Sequence, residues 1–216
     1  MVTKGQFLER PTLIPVGDLV LEGLSHRGQA CPPLLVLPPS PSEGGSMDHV
    51  LCAEVVWAAA QAGHPTLRFN FRGVGASQGQ RANGETLLAD AQAALRLLEE
   101  NTGTPRVAVA AVDGTSTTAK RLAKEHPALA GLCFIAPVGL RPEDLLRLEL
   151  PVCVVVAEED DTLPRAALAA AVAEQGGTLE VVERADARFH RSLPQVGKAV
   201  VRFLRRLDEG GSALRR

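Results

Sequence analysis

Tyrosine is absent from this chain, tryptophan occurs once, and aromatic side chains make up only 3% of its 216 residues. A core of stacked rings is thereby excluded. The interior has to be assembled from Leu, Val and Ala, which with the other apolar types reach 45%, an ordinary share for a globular chain. No charge of one sign dominates, since 23 basic side chains face 25 acidic ones and leave a net charge of −2. That balance gives no reason to expect a nucleic acid or an anionic membrane as partner. No apolar run reaches the roughly 18 residues a membrane span needs. Residues 1–10 carry Lys4 and Arg10 without the apolar stretch of a secretory signal. A cytoplasmic location is the expectation. Cys31, Cys52, Cys133 and Cys153 form no CxxC pair and have no histidine beside them, so neither a disulfide framework nor a zinc site is expected.

What is present is an alternation of short apolar runs with helical periodicity, the pattern of an α/β protein with a mostly parallel sheet of about eight strands and helices on both faces. Residues 12–16 and 18–25 read as an entry hairpin about Gly17. Strands are expected at 33–37, 66–71, 106–112, 131–136, 152–157 and 178–183. Helices are expected at 47–62, 83–100, 115–125, 164–174 and 193–207. Within the second, Leu87, Leu88, Ala91, Ala94, Leu95 and Leu98 share one face. Residues 142–148 have room for one or two helical turns. The length suits one domain over residues 1–216, with flexible ends at 1–10 and 208–216. No cofactor motif stands out. The turn Arg72-Gly73-Val74-Gly75-Ala76-Ser77-Gln78-Gly79 follows a strand, but Gln78 occupies the place of the third glycine in G-x-G-x-x-G. Arg68 and Arg72 beside it are expected to hold the turn through ion pairs.

Taken with Leu34-Val36-Leu37-Pro38-Pro39 and the helix that follows, the segment from Arg68 to Gly79 resembles the α/β-hydrolase superfamily, in particular its small, nearly lidless branch of dienelactone hydrolases and serine esterases. The resemblance implies a nucleophile on a sharp strand-to-helix turn, the G-x-S-x-G elbow. Here the matching stretch is Ala111-Val112-Asp113-Gly114-Thr115, which puts Asp113 in the serine position. It further implies an acid after the strand at 152–157, where Asp160 aligns. A base is implied after the last strand, where Arg184-Ala185-Asp186-Ala187-Arg188-Phe189-His190 puts Ala187 in the histidine position and His190 three residues on. The G-G-[ST]-M stretch of such enzymes is kept as Gly44-Gly45-Ser46-Met47, while Pro38-Pro39-Ser40-Pro41 stands where histidines are usual.

Two functions follow as expectations. One is a hydrolase-fold protein without hydrolytic activity that binds a small apolar ligand or a protein partner, with Gly44, Gly45, Ser46, Gly114 and Ala187 at the binding site. Pairing of chains through an edge strand is compatible with it. The other is a hydrolase of small esters, halides or epoxides in which Asp113 attacks as a carboxylate, assisted by His190 and Asp160. Each residue also has a plainer reading. Asp113 is a candidate helix cap, Ser116 likewise, Asp160 lies in a solvated acidic loop, and His190 is a candidate surface histidine.

Overall fold

The computed structural model of the chain describes residues 8–213, and the expectations placed on residues 1–7 and 214–216 lie outside it. Its eight strands are β1 (Arg10–Val16), β2 (Leu19–His26), β3 (Leu34–Leu37), β4 (Thr66–Phe69), β5 (Ala108–Val112), β6 (Gly131–Ile135), β7 (Val152–Ala157) and β8 (Thr178–Val182). They form one sheet in the order β1-β2-β4-β3-β5-β6-β7-β8. The β1–β2 and β2–β4 pairs are antiparallel, and all pairs from β4 through β3 to β8 are parallel. Pro11 and Pro15 sit in β1, an edge strand, where a missing N–H costs no ladder bond.

β3, β5, β6 and β7 are buried at every residue, as strands covered on both faces must be. On one face Val109 and Ala111 of β5 join Leu88, Leu95 and Leu98 of α2 (Gly84–Thr102), Leu122 of α3 (Ser116–Glu125), Leu145 of α4 (Pro142–Leu145) and Leu168 of α5 (Arg165–Glu174). On the other, Ala108, Ala110 and Val112 meet Leu51, Val55 and Ala59 of α1 (Val50–Gln61) and Val196, Val200 and Phe203 of α6 (Leu193–Ala213). The connection between β6 and β7 holds only the four-residue α4, and no helix among the described residues is long and apolar enough to cross a membrane.

Three boundaries differ from the sequence reading. α1 starts at Val50 and not at 47, with His49 as its N-cap accepting the Leu51 N–H, while the Met47 N–H ahead of it donates to the Asn70 side-chain oxygen at 2.7 Å. β1 starts at Arg10, ahead of 12, and Glu9 before it is fixed on Arg68 at 2.7 Å. The tail expected to be flexible from 208 continues as helix to Ala213; no proline interrupts it, and each added residue gains a backbone bond once the helix exists.

The glycine-rich turn after β4 is held as its arginines suggested, though one partner lies in a helix. Arg72 places its backbone N–H on Asp90 Oδ2 at 2.9 Å and its guanidinium Nε on Oδ1 at 2.8 Å, and Asp90 is wholly buried in α2. Arg68 bonds Glu9 and the Met47 carbonyl. Glu22 accepts from Asn70 and from the Ala76 N–H, which leaves no room for a side chain at Gly75, whose φ is 57°. These bonds account for the turn structurally, without a nucleotide.

Candidate functional site

In open α/β sheets ligands bind at the carboxyl ends of the parallel strands. Backbone strain in this chain gathers there: Asp113 after β5, Ala136 after β6 and Arg184 and Phe189 after β8 are non-glycine residues with φ between 47° and 57°. Strain of this kind marks places where surrounding structure enforces a special geometry.

Asp113 forms the apex of the turn from β5 into α3, with φ 57°. The hydroxyls that follow serve the turn itself. Thr115 donates to the Val112 carbonyl at 2.9 Å, and Ser116, buried, lies 3.5 Å from the Asp113 carbonyl. No side-chain cap is made by Asp113 for the 3-10 turn at Asp113–Thr115 or for α3, so the capping role suggested for it is not the one it has. Among the described residues its half-buried carboxylate accepts no hydrogen bond.

Over this turn lies the segment after β3. A Cβ on Gly114 would come within 3.0 Å of Glu43 Oε2, which places a second carboxylate beside the apex. Glu43 belongs to a 3-10 turn, Pro41–Glu43, that closes at Gly44 with φ 77°. Gly45 is packed so tightly on Pro39 that a Cβ would stand 2.2 Å from its carbonyl oxygen. The Gly44 N–H donates to the Pro41 carbonyl and the Gly45 N–H to the Ser40 carbonyl, at 3.1 and 3.0 Å. The Ser46 hydroxyl accepts from the Asp48 N–H at 3.3 Å, and the Ser46 N–H makes no hydrogen bond among the described residues. Of the expected binding residues, Gly114 lies beside Asp113 in the chain and against Glu43, while Gly44 and Gly45 shape the neighbouring loop and spend their amides within it.

His49, which the sequence reading passed over, completes this side. It caps α1 by accepting the Leu51 N–H on Nδ1 at 3.4 Å. That bond assigns the proton of the neutral ring to Nε2. Burial lowers its pKa from the ordinary histidine value, and the nearby Asp113 carboxylate offsets part of the fall. The signal available in the sequence was weak, because His is not among the usual caps.

The remaining candidates are engaged elsewhere. Asp160 Oδ1 accepts from the N–H and hydroxyl of Thr162, at 3.0 and 2.5 Å, a local turn of the acidic loop. His190 is exposed and sets Nδ1 against both oxygens of Asp186, at 3.2 and 3.3 Å. Burial opposes ionisation of Asp186, but the N–H groups of Arg188 and His190 and the imidazole hold its carboxyl below its ordinary pKa. Ala187 is exposed. No hydrogen bond joins Asp113, Asp160 and His190 to one another among the described residues. Nor is there, among them, a group of three or more His, Cys, Asp or Glu side chains that could hold a metal ion.

The fold superposes on solved structures along nearly the whole chain. The chain has the α/β-hydrolase fold. An α/β serine hydrolase homologue from Coxiella burnetii superposes with a TM-score of 0.76 at 25% identity, covering 94% of this chain and 99% of that one. A serine hydrolase without a lid from Xanthomonas campestris gives 0.75 at 23%, covering 92% and 94%. Dienelactone hydrolase from Anabaena variabilis gives 0.76 at 20%, covering 93% and 98%. The absence of a lid in the second agrees with the four-residue α4 of this α/β-hydrolase-fold chain. In sequence, an uncharacterised protein of Rickettsia prowazekii is 41% identical over 70 residues, a stretch equal to 32% of this chain and 29% of that protein. No family model matches the chain.

Proposed function

We propose that this α/β-hydrolase-fold chain is a binding protein whose carboxyl-edge site has lost the means of hydrolysis. It takes a small, largely apolar ligand that presents a hydrogen-bond donor to Asp113 and Glu43. The observation that carries this reading is the pairing of His190 with Asp186 on the surface, and it is supported by the sequence resemblance, which assigns the base position to Ala187. Hydrolysis of an acyl or alkyl ester on an elbow residue requires a group that removes a proton from water. His49 is close enough to sense the Asp113 charge, but its free nitrogen is the protonated one, so it donates where a base must accept.

A second reading is favoured by Asp113 itself. Its φ of 57° is the geometry of a nucleophile elbow, and its carboxylate has no structural bond to explain it. In that reading the Asp113 carboxylate attacks the carbon of an ester, halide or epoxide and expels the alcohol, halide or ring oxygen. Water, deprotonated by a His190 released from Asp186, then hydrolyses the covalent intermediate and frees the product and the carboxylate.

The two readings separate on turnover of p-nitrophenyl acyl esters, a haloalkane and a styrene epoxide by the wild type and Asp113→Ala. Equal, near-background rates for both proteins are the expected outcome. Turnover that disappears in Asp113→Ala establishes the carboxylate-nucleophile reading instead.

A further inference from the structure

A cavity of about 540 Å³ lies at the end of the sheet opposite to Asp113, where the parallel strands β3, β4 and β5 begin. Its volume is within the range of small-molecule sites. The floor is apolar, made by Pro33, Pro65 and the buried Leu67 and Leu98.

The rim is different in kind. Arg10 at the start of β1 and Arg27 just after β2 face the cavity, together with the side-chain amides of Gln29 and Asn101. None of these four side chains makes a hydrogen bond or ion pair among the described residues. No aspartate or glutamate lines the cavity. Arg10 and Arg27 are exposed, and what distinguishes them is their place: two guanidiniums share one cavity rim that holds no carboxylate to pair them. A guanidinium offers a planar fork of donors matched to the oxygens of a carboxylate or phosphate. The amides add neutral donors and acceptors beside it.

We infer that this amino-edge cavity is a binding site for a small organic oxyanion, a carboxylate or phosphate ester with an apolar body, held by Arg10 and Arg27 at the rim and by the Pro-Leu floor. The site is independent of Asp113 and of the function proposed for it.

Cys31 supplies the probe. It lines the same cavity and is the one exposed cysteine of the four. Iodoacetamide alkylation of Cys31 is followed by mass spectrometry, at constant ionic strength, with phenyl phosphate, benzoate, inorganic phosphate or benzyl alcohol present. Phenyl phosphate or benzoate is expected to slow alkylation about tenfold at a concentration about ten times its Kd. The more protective of the two shows whether phosphate or carboxylate is preferred. Inorganic phosphate, lacking the apolar body, and benzyl alcohol, lacking the charge, protect less. The double variant Arg10→Gln/Arg27→Gln is expected to abolish protection while keeping the wild-type Tm and the alkylation rate without ligand. Asp113→Ala is expected to keep full protection. Three outcomes overturn the inference: less than about twofold protection by both aromatic anions at about 10 mM, equal protection by benzyl alcohol, or protection that survives in the double variant.

Discussion

Asp113 occupies a left-handed backbone conformation that costs an ordinary residue about 1–3 kcal/mol, and its carboxylate returns none of that through a bond to the protein. Asp113→Gly relieves the strain at the expense of a more flexible unfolded chain, and is expected to stabilise the protein by about 1 kcal/mol in urea denaturation. A loss of stability would mean that the carboxylate has a structural partner. The strand-to-helix turn at Asp113 was legible in the sequence because small residues surround it and an apolar strand precedes it. The surroundings of Asp113 were not. Glu43 stands beside Gly114 from a loop that turns at Gly44 and packs Gly45 on Pro39, and His49 is the residue that caps α1. Asp186 and His190 were both visible, but their pairing depends on a turn whose shape no periodicity reveals.

Strands and helices were legible where burial dictates a pattern. β5 through β7 are uninterrupted apolar runs covered on both faces, and α2 carries its apolar residues on one side as expected, with Leu87 half-buried at the margin. Illegible were the contacts that single side chains make at element ends: the His49 cap that opens α1 at Val50, and the Glu9–Arg68 pair ahead of β1. The connection of the glycine turn to α2 is of the same sort and rests on Asp90. This carboxylate is fully buried and satisfied by the backbone and guanidinium of Arg72. Asp90→Ala leaves that cation partly buried and an amide unpaired, and is expected to cost about 3–5 kcal/mol. Hydrogen exchange should then show the Arg72–Gly79 turn opening before the rest of the sheet. Unchanged stability would show that water replaces Asp90 without penalty.

Across the whole molecule, two histidines couple folding to pH. His64 is buried and donates Nδ1–H to the Pro32 carbonyl at 2.8 Å, and burial lowers its pKa from 6.5, as it does for His49. Each is more basic unfolded than folded. Their neutral forms therefore contribute stability that is present above pH 6.5 and lost as pH falls through the lowered folded values. Denaturation in urea is expected to show stability falling below pH 6.5 by at most about 1.4 kcal/mol per pH unit for each histidine. The slope should be shallower in His64→Gln, and an equal slope in that variant would assign the acid sensitivity to His49 or to carboxylates. The cysteines divide in a related way. Burial pushes the Cys52 thiol up to about 12, and Cys133, in register with Cys153 on the neighbouring strand, is raised by its bond to that thiol and by burial. Cys31 alone faces solvent. A disulfide between two folded chains forms at Cys31, and a chain so joined carries its partner on the lining of its own amino-edge cavity. Reductant in the buffer keeps that cavity free of a disulfide-linked neighbour.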